Sequence, residues 1–206
     1  IDGNLLSVGQ TLVIPAPEPG SIGPSFKIIP DSELVYGPAS AIFDIDSFIN
    51  GQAGYLAGYA QEVDGELLTP SQIITRVAQD YSVNPRLLLA LLEYRSGWVT
   101  RADSYVSEFP ISYVDEFHAG LYRQLTWAAN ELNRGFYLWR VNAVSTWVLA
   151  DGSVVPVDPT INAGTAAVQH FFSKLDGLEA WQKDVDAFGL FQTYYLMYLQ
   201  SPFDFG

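Results

Sequence analysis

The stretch NPRLLLALLEYRSGW, residues 84–98, carries the strongest structural signal in the chain. Asn84 is of the type that caps a helix N-terminus, and the ring of Pro85 presets φ for the first helical position. An unbroken apolar run follows, from Leu87 to Leu92. At about 100° per residue such a run covers every side of the helix, the pattern of an element packed on all faces. One carboxylate, Glu93, closes the run ahead of Arg95, Ser96, Gly97 and Trp98. Partly desolvated and set against the negative end of the helix dipole, Glu93 has the surroundings of a general acid. The competing reading is a structural salt bridge to Arg86 or another cation.

The neighbouring segments are also helical. Thr69-Pro70 repeats the cap-plus-proline device, and Ile73, Ile74, Val77 and Tyr81 recur at helical spacing, so residues 69–81 and 84–96 form a helical hairpin. Upstream, FDIDSFINGQAGYLAGYAQEVDG reads as one or two short helices ending at Asp64-Gly65. Downstream, Phe117, Leu121, Leu125, Ala128 and Leu132 form one stripe, predicting a central helix from about Asp115 to Arg140. Asp115 and Glu116 would then meet the positive end of its dipole. STWVLADGSVVPV carries two β-prone runs around Asp151-Gly152, a hairpin signal because both turn residues tolerate positive φ. AGTAAVQHFFSKL, LEAWQKDV and AFGLFQTYYLMYLQ complete the chain as three more helices. The fold expected is mainly α, of α+β character: a helical bundle around a central apolar helix with one small β-hairpin.

Composition narrows the chemistry. About half of the 206 residues are apolar, enough for a sizeable core without staples. Ten Lys and Arg against 23 Asp and Glu leave a net charge of −13, which argues against a nucleic-acid partner and against anionic membrane surfaces. With no cysteine there is no thiolate ligand or nucleophile, and His118 and His170 lack zinc-site spacing, so no metal and no cofactor is expected. The apolar runs fall short of the roughly 18 residues needed to span a bilayer. Nothing in the pattern specifies an oligomeric state.

Two resemblances add to this. NLLSVGQTLVIP is similar to the end of a lysin motif (LysM), with Asn4, Leu6, Val8, Gly9, Gln10, Leu12, Ile14 and Pro15 matching. The Pro- and Gly-rich APEPGSIGPS after it reads as a linker. The chain thus divides into a LysM tail (1–16), a linker (17–36) and a helical domain (37–206), and it reads as a piece of a longer protein. LysM modules bind GlcNAc-containing glycans such as peptidoglycan, which implies a secreted protein of the bacterial cell envelope.

NPRLLLALLEYRSGW in turn resembles the catalytic helix of the lysozyme-like lytic transglycosylases and bacterial glucosaminidases. HAGLYRQL is similar to their Gly-Leu-Met-Gln segment, through Gly120, Leu121 and Gln124 with one residue inserted, and AANELNRGFY to their Tyr-Asn-Ala-Gly helix, through Asn133 and Gly135. The order is preserved over residues 70–140. The resemblance implies a lysozyme-like domain acting on peptidoglycan strands, with Glu93 as acid and Ser96, Trp98, Tyr122, Gln124, Asn133 and Tyr137 binding substrate. One departure is decisive: the family's catalytic Glu immediately precedes the Ser, and that position here is Arg95. Glu93 lies roughly 160° away around the helix. The rival expectation is therefore a non-catalytic peptidoglycan-binding or structural surface domain. LysM and lysozyme-like chains also continue into metallopeptidase domains, whose HxxxD and HxH segments are missing from these residues; within that architecture this would be the middle piece.

Overall fold

The computed structural model describes residues 22–205, and the LysM-like stretch 1–16 lies outside them. The described chain runs α1 (Asp31–Leu34), α2 (Pro38–Ala41), α3 (Ile45–Gln52), a 3₁₀ turn (Tyr55–Gly58), β1 (Gln61–Val63), β2 (Glu66–Leu68), α4 (Pro70–Tyr81) and α5 (Pro85–Ser96). It continues through α6 (Leu121–Arg140), β3 (Thr146–Val148), β4 (Val154–Pro156), α7 (Ala163–Ser173), α8 (Leu178–Asp184) and α9 (Leu190–Tyr198). The class is mainly α, with short antiparallel hairpins at its surface.

Both capped helices begin where their caps predict. Thr69 and Gln72 form a reciprocal capping box, and the Asn84 side chain accepts from the Arg86 amide at 2.9 Å. Leu87 to Leu92 are all fully buried, because α5 is enclosed by α1, α4, α6 and α9. The centre of the bundle is thus α5 together with α7, which is buried along its whole length. The 121–140 helix lies beside them and exposes a polar side. It also begins later than predicted: Gly120 has φ +89°, outside the helical region, and Asp115 instead folds residues 115–118 into a turn by accepting from the Phe117 amide and the His118 ring. Phe117, expected in the apolar stripe, is consequently exposed. Where α6 crosses α7, Gly135 permits the approach; a Cβ there would sit 2.5 Å from the His170 Cβ.

Two further corrections concern the hairpins and the linker. The β3–β4 hairpin forms at Asp151-Gly152, with Val148 opposite Val154, but through a longer turn in which the Leu149 and Gly152 amides donate to the Ser153 and Leu149 carbonyls and only Gly152 takes positive φ, at +84°. A second hairpin, β1–β2, turns at Asp64-Gly65, where a helix end was expected; their φ values of +54° and +83° are those of a type I′ loop. Within the stretch assigned to the linker, Ile28 and Ile29 are fully buried and Asp31–Leu34 is helical. Over residues 22–36 the proline-containing stretch is bound to the core rather than a tether. Asp31 accepts from the Gly164 amide at the start of α7, and Glu33 reaches into the bundle as a buried partner of Arg86.

Candidate functional site

The end of α5 was built by its C-cap. Gly97 takes φ +67° and its amide donates to the Glu93 carbonyl at 2.7 Å, so the chain turns back sharply through Trp98, Val99 and Thr100. That turn brings three donors onto the Glu93 side chain. Oε2 accepts from the Val99 amide at 2.9 Å and the Thr100 amide at 3.0 Å, and Oε1 accepts from the Thr100 hydroxyl at 2.6 Å. Glu93 therefore caps the turn that follows its own helix.

Arg86 does not pair with Glu93. Its guanidinium makes two bonds to Glu33, at 2.8 and 3.2 Å, within a buried network that includes Asn84 and the Tyr194 hydroxyl. Tyr198 donates to the Arg86 carbonyl, and Phe205 stacks under the guanidinium at 4.3 Å. The network joins the N-terminal segment, α5 and α9.

The two residues after Glu93 reach the other way, to the turn between α7 and α8 and to the end of α8. Arg95 Nη1 bonds Asp176 Oδ2 at 2.9 Å, and the Tyr94 hydroxyl donates to Asp184 Oδ1 at 2.7 Å. Burial pushes Asp184 up to about 7; the Tyr94 hydrogen bond and Arg95 oppose this, and the Asp176 carboxylate adds to it. Asp184 Oδ2 is buried without a donor among the described residues. Burial and the bond to Asp184 likewise push the Tyr94 hydroxyl upward. Asp176 and Asp184 had no motif to announce them; their partners stand 81 and 90 positions away in the chain.

The residues grouped by resemblance do not form one site. A groove of about 400 Å³ between the end of α5 and α9 is lined by Glu93, Arg95, Ser96, Arg101 and Leu196 among others. Of the six expected substrate-binding residues only Ser96 lines it, and the Ser96 hydroxyl donates back to the Leu92 carbonyl. Trp98 is 1% exposed, packed against Tyr55 and Tyr59, with its indole donating to the Tyr105 carbonyl. Gln124 is buried and pins the loop before α6, accepting from the Ile111 amide and donating to the Tyr113 and His118 carbonyls. Asn133 donates to the Tyr81 carbonyl at the end of α4. Tyr122 lies beside β1 with Arg76 over its ring, and Tyr137 is exposed on α6 against Phe136.

Among the described residues no cluster of three or more His, Asp or Glu side chains could hold a metal ion, and no helix is long and apolar enough to cross a membrane. Residues 27–204 match the family described as LasA, N-terminal domain. The chain belongs to this family. LasA N-terminal domains are bacterial, secreted and peptidase-related. The match begins inside the stretch assigned to the linker, in agreement with the burial of Ile28 and Ile29. It covers the helices read as lysozyme-like and leaves the LysM-like residues 1–16 outside it. No curated protein and no solved structure matches this LasA N-terminal domain.

Proposed function

We propose that the chain is a non-catalytic domain of a secreted bacterial protein directed at the cell wall, with peptidoglycan or a related GlcNAc-containing glycan as its ligand. One observation carries the non-catalytic half: both Glu93 oxygens are committed to Val99 and Thr100, and the position where the lytic enzymes keep their acid holds Arg95, tied to Asp176. An arginine cannot supply a proton at neutral pH. On this reading the resemblance over residues 70–140 marks a lysozyme-like scaffold whose Gln124, Asn133 and Gly135 keep structural roles. The LysM-like residues 1–16 and membership of a secreted, peptidase-related family support the wall as the place of action.

The test is incubation of the chain and its Glu93→Gln variant with purified peptidoglycan, followed by sedimentation and analysis of released muropeptides. Wild type is expected to sediment with the wall and release nothing. Release by wild type that disappears in Glu93→Gln would restore the enzyme reading, and failure to sediment would remove the glycan ligand.

A further inference from the structure

The β1–β2 hairpin has one edge that no strand among the described residues pairs with. Val63 and Glu66 close the two-residue loop as a hydrogen-bonded pair, so the next pair, Glu62 and Leu67, is non-hydrogen-bonded. The Glu62 amide and carbonyl therefore point away from β2. Among the described residues neither has a backbone partner. On that side lies a groove of about 320 Å³, bounded by the whole of β1 on one wall and by Phe117, His118, Tyr122 and Thr126 on the other.

The groove is firmly built. Gln61 Oε1 accepts from the Tyr122 amide at 3.0 Å, fixing β1 against the start of α6. Opposite, the Asp115–His118 bond at 2.7 Å and the Gln124 bonds hold the far wall. The Thr126 hydroxyl oxygen is buried there without a partner, and Phe117 is two-thirds exposed at 66%.

The charge around this edge is net negative. Glu62, Glu66 and Glu116 take part in none of the ion pairs among the described residues; Arg76 is paired with Asp64 at 2.6 Å, and Arg123, which also lines the groove, donates to the Phe117 carbonyl at 2.8 Å and keeps its charge, so three unpaired carboxylates stand against one unpaired cation. An exposed strand edge is a template for pairing with another chain, and a strand added here follows the alternation of β1. Its residue opposite Glu62 shares the solvent face with that carboxylate. Its flanking residues point, like Gln61 and Val63, toward the aromatic wall.

We propose that the outer edge of β1 docks an extended basic segment of a partner polypeptide, which adds a third strand with a lysine or arginine opposite Glu62 and apolar residues on either side. The docking does not depend on the wall being the ligand, and it is measured without any glycan.

The test uses the full chain and two fluorescent peptides, Val-Lys-Val-Lys-Val and Val-Glu-Val-Glu-Val, both capped, with binding read by anisotropy. The lysine peptide is expected to bind at least about tenfold more tightly than the glutamate peptide, with loss of the preference at high salt. Glu62→Pro removes the outward amide at a position that gives no bond to β2, so it should abolish binding while leaving the thermal midpoint near wild type. Glu62→Lys should transfer the preference to the glutamate peptide. Absence of binding, equal binding of both peptides, or binding unchanged in Glu62→Pro would overturn the proposal. So would concentration-dependent dimerisation lost in Glu62→Pro, which would assign the edge to a second copy of the chain.

Discussion

Arg95 and Asp176 face each other at 2.9 Å, each about 15% exposed, and so fasten the end of α5 to the turn between α7 and α8. Replacing Arg95 with the glutamate that the lytic enzymes carry would set three carboxylates together: the new one, Asp176 and Asp184. Arg95→Glu should therefore destabilise the domain by at least about 2 kcal/mol, the loss of a charged hydrogen bond with added repulsion. Urea unfolding measures the loss. Muropeptide release by this variant would mean that the scaffold retains a usable cleft.

Asp184 makes stability depend on pH. Its folded value is raised to about 7 from an ordinary 3.8, so the folded state holds the proton more tightly than the unfolded state. The associated stability is complete below about pH 4 and is lost as pH rises through 7. Thermal midpoints should thus fall between pH 5 and pH 8, and Asp184→Asn, which keeps an acceptor for Tyr94, should flatten that fall. Parallel profiles for the two proteins would remove Asp184 as the cause.

The Glu33–Arg86 pair is the most enclosed ion pair described, with side chains 1% and 5% exposed. Arg86→Leu strands the Glu33 carboxylate in the interior, and a cost of about 3–5 kcal/mol is expected. The double variant Arg86→Leu with Glu33→Leu should recover part of it. A double variant no better than the single one would indicate that the Tyr194 and Asn84 bonds carry the network.

Gly135 has no room for a side chain. A methyl group there would overlap His170 and the α7 backbone at Ala167, so Gly135→Ala should cost about 1–3 kcal/mol despite alanine's better helix propensity. Calorimetry would show it as a lower midpoint. An increase would mean that α6 and α7 separate easily at this crossing.

What could be read from residue order was what neighbouring residues control. Thr69-Pro70 and Asn84-Pro85 begin helices because a cap acts over three positions, and the β3–β4 turn forms where Gly152 supplies the positive φ, +84°, that a glycine adopts without strain. The same Asp-Gly signal at residues 64–65 was hidden by the helical pattern on either side of it. The α6 start was misplaced because Gly120 and the Asp115 turn interrupt an apolar periodicity that continues across them.

Long-range pairing was not legible. Asn84-Pro85 and the leucine run made α5 a buried helix ending in Glu93 whatever surrounded it, since burial of so much apolar surface has no other outcome. Whether Glu93 was an acid or a cap depended on where the Val99 and Thr100 amides came to lie, and whether Arg95 was free depended on Asp176. Those donors and acceptors meet through backbone turns and helix packing, which no local preference specifies; the tertiary structure alone makes the end of α5 a fastened junction.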